Sequence, residues 1–121
     1  MSLDEIFNEL EKQLKMEEQA KKVGIAKAKI VDIQIGKVKD MYSEETLEHM
    51  KQSFKNFDEE REIIRIYFET EFGEKLFQDF TKSTHRRSNL RKFYMQYGKP
   101  EPGKEVTIKY DKAKGIWKIV F

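Results

Sequence analysis

Three arginines lie close together in residues 81–99, and their side chains are well suited to bind phosphate. Arg86, Arg87 and Arg91 fall within six residues, although the whole chain has only five arginines against nineteen lysines. The same segment has no acid, and its other basic side chains are Lys82, His85, Lys92 and Lys99. Guanidinium groups form paired hydrogen bonds with phosphate oxygens. The segment therefore predicts an anion-binding site, and a nucleic acid is the polymer that would supply such anions.

The periodicity of residues 85–97 predicts a helix with one packed and one cationic face. Leu90, Phe93, Tyr94 and Tyr97 share a side of the helical wheel, and the arginines lie on the other side. Ser83 or Thr84 is the expected N-cap, which places His85, Arg86 and Arg87 in the first turn. Cations there oppose the helix dipole at a cost of about 0.3 to 1 kcal/mol, which a bound anion would offset.

A structural interpretation competes with the phosphate site. Residues 44–74 contain ten acids and four bases, so the arginines could pair with these acids or simply be solvated. Short basic clusters are common and weakly specific. Ion pairs between the arginines and those acids would remove the main support for phosphate binding.

The C-terminal residues offer a second group of cations. Lys109, Lys112 and Lys114 accompany Tyr110 and Trp117 in a predicted hairpin, where they could add phosphate contacts and a surface for base stacking. The alternative is that Trp117 belongs to the core and the lysines keep an edge strand soluble.

No pattern in the chain predicts catalysis. The only imidazoles, His49 and His85, are 36 positions apart, there is no cysteine, and the glycines are too scattered for a phosphate-cradling loop. We therefore expect a non-enzymatic protein with no catalytic residues, no metal site and no cofactor.

The sequence predicts a helix followed by a long strand at the N-terminus. Ser2 and Glu5 form a capping box for a helix over residues 2–23, and Gly24 is a C-terminal stop. A strand follows over 25–38, and its alternation changes phase near Ile30, which predicts a bulge or a bend. We expect the apolar stripe Leu3, Phe7, Leu10 and Leu14 to cover the chain's own sheet; the alternative is a homodimer through this helix.

The remaining elements complete an α+β fold. Residues 43–97 are interpreted as a helical region, with a linker at 98–104 and a β-hairpin at 105–121. Within the helical region, residues 62–69 could also form a strand, but the flanking acids and Gly73 favour a helix. The prediction for the single domain 1–121 is a three-stranded antiparallel sheet, made of the first strand and the hairpin, packed by four to five helices in the order α-β-α-α-α-β-β.

These observations predict a small accessory protein that binds nucleic acid mainly by phosphate contacts. The alternative is a protein-interaction module or inhibitor, such as a phage-type accessory protein, whose cations contact an acidic protein partner. No apolar run approaches the roughly 20 residues of a membrane span, and no apolar signal core follows the N-terminus. We therefore expect a cytoplasmic protein with no membrane partner.

Overall fold

A five-stranded antiparallel sheet organises the chain, whose computed structural model describes residues 1–121. The sheet order is β3-β2-β1-β4-β5, so the longest strand, β1, is central. In chain order the elements are α1 (Leu3–Val23), β1 (Ile25–Lys37), α2 (Val38–Met41), α3 (Glu44–Ser53), β2 (Glu62–Thr70), β3 (Lys75–Thr81), α4 (Asn89–Tyr97), β4 (Glu105–Asp111) and β5 (Ile116–Ile119). None of the four helices combines the length and apolar character that a membrane span requires.

The predicted three-stranded sheet is wrong, although the α+β class is correct. Two strands, β2 and β3, occupy the middle of the region 43–97 that was predicted to be helical. The β-branched and aromatic side chains of β2 suit a strand, and pairing with β1 decides the ambiguity. Gly73, interpreted as a helix stop, instead has a φ of 85° in the turn between β2 and β3. The observed order is therefore α-β-α-α-β-β-α-β-β.

The predicted bulge in β1 is confirmed. The pairing of β1 with β2 shifts register between Ile30 and Asp32, which leaves Val31 as the additional residue. Ala26, Ala28 and Ile30 precede the shift, and Ile33 and Ile35 follow it. The extra residue restores the alternation of inward and outward side chains, so all five side chains face the same side of the sheet.

The main core lies on this inner face of a strongly curved sheet. The curvature brings the two edge strands together: the Gln78 Oε1 atom in β3 accepts a hydrogen bond of 2.8 Å from the Ile119 N–H in β5. From α4, the fully buried Phe93 packs its ring 5.7 Å from that of Phe80. The buried members of this core are Ala26, Ala28, Ile30, Ile66, Phe68, Phe72, Phe80, Phe93, Val106, Ile108, Trp117 and Ile119.

A smaller core lies on the outer face, under α2 and α3. Val38 and Leu47 pack against Ile63 of β2. The predicted start of α3 is confirmed, because the Ser43 hydroxyl accepts a hydrogen bond from the Thr46 N–H at 3.3 Å. Within the region predicted to be helical, no helix begins at Asp58, whose carboxylate accepts a hydrogen bond from the Glu60 N–H in the turn before β2.

Helix α1 packs through a polar face, so the expectation that its apolar stripe covers the sheet is wrong. Ala20 contacts the core, the Lys21 Nζ atom lies 5.5 Å from the centre of the Tyr110 ring, and the Gln13 side chain lies beside Gly73. The stripe itself is exposed: the exposed fractions are 68% for Leu3, 57% for Phe7, 45% for Leu10 and 56% for Leu14.

Candidate nucleic-acid interface

Two of the three clustered arginines lie in a loop that precedes α4. The helix begins at Asn89, and its N-cap is Ser88, whose hydroxyl accepts a hydrogen bond from the Arg91 N–H at 3.1 Å. The prediction of a cap at Ser83 or Thr84 is therefore wrong by four or five residues. Arg86 and Arg87 are loop residues, and of the clustered arginines only Arg91 lies in the first helical turn.

Hydrogen bonds within the loop fix the position of these arginines. The Ser88 hydroxyl donates to the Ser83 carbonyl at 2.9 Å, which closes the loop. The His85 Nδ1 atom accepts a hydrogen bond from the Arg87 N–H at 3.2 Å, and the His85 carbonyl accepts one from the Ser88 N–H. Because its Nδ1 atom is occupied, the ring of His85 can offer an anion only its Nε2–H group.

The arginines have no acidic partner. Arg86, Arg87 and Arg91 are exposed, and no salt bridge of the structure contains any of them. Lys92 and Lys99 are likewise exposed and unpaired, whereas the Lys82 Nζ atom lies 2.6 Å from a Glu62 carboxylate oxygen. The structure therefore lacks the ion pairs that would have removed the main support for a phosphate site.

Several acids of residues 44–74 are paired with lysines instead. Glu60 bridges two lysines, at 2.7 Å from Lys39 and 2.9 Å from Lys37. These hydrogen bonds, that of Lys39 first, hold the pKa of Glu60 below its usual range. The hydrogen bond from Lys82 likewise lowers the pKa of Glu62. These lysines thus neutralise Glu60 and Glu62, and the three arginines remain available to bind an anion.

A polar cleft separates the loop from the end of β3. It has a volume of about 430 Å³, and its lining includes Ser83, His85, Arg87 and Asn89. The only acid in the lining is Asp79, whose carboxylate is already bonded to the Arg65 guanidinium and the Tyr42 hydroxyl. The cleft thus presents donors and cations, with its single carboxylate already occupied.

The hairpin lysines lie far from the arginines. Thr81, the residue before the arginine loop (residues 82–88), is paired with Ile63 of β2, and Ile63 is paired with Gly36 of β1. Lys109 is paired with Ile25, near the other end of β1. Eleven residues of β1 separate these positions, or about 35 Å along an extended strand. The structure therefore does not bring Lys109, Lys112 and Lys114 together with the arginine cluster.

Of the two interpretations of Trp117, the structure supports the core residue and not the surface for base stacking. Trp117 is 6% exposed and packs its ring 5.6 Å from that of Phe72, so it belongs to the core. The accessible aromatic residue near the arginines is Tyr94 of α4, which is 64% exposed. Tyr94 was expected on the packed face, but only Leu90, Phe93 and Tyr97 of that set contact the core.

An apolar groove beside α4 was missed by the sequence analysis. Its floor contains Ile33 and Ile35 of β1 and Ile64 of β2, and its wall is formed by Leu90, Phe93 and Tyr94 of α4. Arg91 and Lys99 also line it, and no acid does. The bulge at Val31 would have suggested this arrangement, because it places Ile35 on the inner face at the end of β1.

No group of three or more His, Asp or Glu side chains is placed to hold a metal ion.

In comparisons with known proteins, no family model, no curated protein and no solved structure matched this chain. Fold alone does not determine function, so the function is inferred from the residues of the site.

Proposed function

We propose that the protein binds nucleic acid through the arginine loop and the exposed side of α4. The observation that carries this proposal is the exposure of Arg86, Arg87 and Arg91 without any acidic partner. Guanidinium groups on a loop closed by its own hydrogen bonds can contact successive phosphates, and Lys92 and Lys99 extend the same cationic path along the helix.

Phosphate contacts imply a steep dependence on salt. If the three arginines, Lys92 and Lys99 each contact one phosphate, the logarithm of the duplex binding constant falls with the logarithm of salt with a slope of about −4.5. Between about 50 and 200 mM salt, the affinity would fall about 500-fold. Contacts of this kind carry little base preference, so we expect weak sequence specificity.

Fluorescence anisotropy with short DNA and RNA, read at several salt concentrations, tests the proposal. The test variant is Arg86→Ala/Arg87→Ala/Arg91→Ala. The matched control is Lys109→Ala/Lys112→Ala/Lys114→Ala, which removes the same charge at the opposite end of the sheet. We expect the arginine variant to bind weakly, with a slope reduced to about −2, and the lysine variant to bind normally.

Two results would contradict this site. Equal losses in both variants would show that net charge, and not the arginine loop, controls binding. No binding of any oligonucleotide at low salt would refute nucleic-acid binding altogether. Circular dichroism of each variant confirms that the comparison is made between folded proteins.

A second candidate function is protein association through α1, here as a homodimer. Its support is the exposed stripe of Leu3, Phe7, Leu10 and Leu14, to which Ile6 adds a side chain that is 47% exposed. Contiguous apolar patches of this kind are characteristic of interaction surfaces. The stripe occupies the half of α1 that has little contact with the rest of the fold, so a partner could approach it.

The salt dependence of association distinguishes homodimer formation from nucleic-acid binding. Residues 1–11 contain four acids and no base, so two copies of this half of α1 repel each other electrostatically. Screening weakens that repulsion, and we expect self-association to strengthen with salt. Sedimentation velocity on the wild type and on Phe7→Ser/Leu10→Ser checks this, with Asn8→Ser/Gln19→Ser, which replaces two exposed residues of α1 without changing its charge, as control. A wild-type protein that stays monomeric at all salt concentrations would exclude the homodimer.

A further inference from the structure

The groove between α4 and the inner face of the sheet, hereafter the α4 groove, combines an apolar floor with a cationic rim. Ile33, Ile35 and Ile64 form the floor, Leu90 and Tyr94 belong to the wall, and the open volume is about 790 Å³. Such a volume lies within the range of ordinary ligand pockets. Arg91 and Lys99 supply two positive charges, and no negative side chain lines the groove.

The groove exists because α4 covers only part of the inner face. Ile30 and Ile35 lie on the same face of β1, yet Ile30 is 1% exposed and Ile35 is 69% exposed. The nine residues of α4 do not extend over the last residues of β1, so these aliphatic side chains remain accessible to solvent. An exposed apolar surface bordered by cations is suited to a ligand with an apolar part next to an anionic part.

We propose that the α4 groove holds an unpaired base of a single-stranded nucleic acid, while Arg91 and Lys99 contact the phosphates on either side of that base. This inference rests on the proposed function and specifies its substrate. The exposed ring of Tyr94 can stack on a base, and the isoleucines cover the other apolar surface of the base. A base within a duplex is paired and stacked, so it cannot enter.

Continuity with the arginine loop favours this occupant. Arg91 belongs to both surfaces: it is one of the three clustered arginines, and it also lines the groove. A strand that follows the cations from the loop toward Lys99 therefore passes the groove, and a nucleic acid carries a base beside every phosphate. An acidic peptide could satisfy the same cations, but it lacks this regular alternation of anionic and flat apolar groups.

The test compares three probes of equal length: single-stranded DNA, the same strand with abasic sites in place of its central bases, and duplex DNA. The protein variants are Tyr94→Ala and a control, Met95→Ala, which removes a side chain that is 78% exposed on the same helix and does not line the groove. Both positions are exposed, so both variants should fold normally.

We expect the single strand to bind more tightly than the other two probes. Tyr94→Ala should weaken single-strand binding about 5- to 150-fold, the usual effect of removing a stacking aromatic side chain, and leave duplex binding unchanged. Tyr94→Phe, which keeps the aromatic ring, should restore the affinity, and Met95→Ala should resemble the wild type. A 2-aminopurine base in the strand should lose fluorescence on binding, because it stacks.

Three other results would each contradict the groove inference. Equal affinity for all three probes, with no effect of Tyr94→Ala, would overturn the groove inference and leave phosphate binding by the arginine loop intact. Absence of binding to every probe would overturn both proposals. Displacement of a bound strand by an acidic amphipathic peptide, together with tighter binding of that peptide, would assign the groove to a protein partner.

Discussion

The buried ion pair between Arg65 and Asp79 should be the most sensitive polar interaction of the fold. Arg65 is 7% exposed, and its Nε and Nη2 atoms donate to the two Asp79 carboxylate oxygens at 2.7 and 3.0 Å. Its Nη1 atom donates to the Met41 carbonyl, and its guanidinium carbon lies 4.2 Å from the centre of the Phe77 ring. The pair thus connects β2, β3 and α2.

Asp79→Ala should destabilise the protein far more than the loss of a surface ion pair. The substitution leaves the Arg65 guanidinium without a counter-ion in a site that solvent barely reaches, and it removes the acceptor of the Tyr42 hydroxyl. Breaking one side of a buried pair costs about 3 to 5 kcal/mol, and because Asp79 is 19% exposed we expect about 3 kcal/mol. With a slope of about 1.5 kcal/mol/M, the urea midpoint falls by about 2 M.

Equilibrium unfolding in urea, followed by circular dichroism, measures this effect. The matched control is Glu62→Ala, which breaks the exposed pair between Lys82 and Glu62 and should cost less than about 1 kcal/mol. The double variant Arg65→Met/Asp79→Leu removes both charges and should recover most of the stability. Equal midpoints for Asp79→Ala and Glu62→Ala would refute the assignment of Arg65 as a buried cation that depends on Asp79.

Three further predictions concern other parts of the fold. Phe93→Ala removes the fully buried ring of α4 and should lower the free energy of unfolding, measured by urea titration, by about 3 to 5 kcal/mol. A decrease of less than about 1 kcal/mol would show that α4 is not packed on the sheet. Trp117→Phe should cost about 1 to 2 kcal/mol in the same measurement, because the smaller ring leaves buried volume unfilled and the indole N–H has no protein partner to lose; a cost above about 3 kcal/mol would reveal an unrecognised hydrogen bond. Burial, followed by the hydrogen bond to Asp79, raises the pKa of Tyr42 above 10.0, so the native state keeps this proton when the unfolded chain releases it. The free energy of unfolding should therefore fall as the pH rises above 10, and Tyr42→Phe should show a smaller fall; identical slopes in urea titrations at successive pH values would contradict this.

Elements with local sequence signals were predicted well. Helix α1 begins after its Ser2 cap and ends at Gly24, which has a φ of 84°, and the C-terminal hairpin lies within residues 105–121 as expected. A cap or a positive φ depends on a few neighbouring residues, so Ser2 and Gly24 could be recognised in the sequence alone. The cap of α4 could not, because Ser83, Thr84 and Ser88 all carry a hydroxyl that suits this position.

Strand β2 and the orientation of α1 required information from distant residues. The apolar content of β2 suits either a helix or a strand, and pairing with β1, whose partner residues lie 25 to 42 positions earlier, decides between them. An apolar stripe normally marks the packed face of a helix. The apolar stripe of α1 is not its packed face, because the curved sheet and α4 cover most of the core. Helix α1 contacts the rest of the fold through Gln13, Ala20 and Lys21.

The candidate site was predicted in part. The arginine cluster is visible in the sequence, but its lack of acidic partners depends on how Lys37, Lys39 and Lys82 are placed beside Glu60 and Glu62. The bulge at Val31 indicates that Ile35 faces inward, but the α4 groove was not predicted, because the exposure of Ile35 depends on where α4 ends.

The central position of β1 also determines the order in which the chain can fold during synthesis. Strand β1 is made before both of its neighbours, and one of them, β4, follows about eighty residues later, since Ile25 is aligned with Lys109. Until then the nascent chain carries an apolar strand with an unpaired edge. Pairings of this sequence separation slow folding, and an open edge invites association with other chains. Lys27 and Lys29 lie on the outer face of that strand, and their positive charges would repel a second copy aligned on the same open edge.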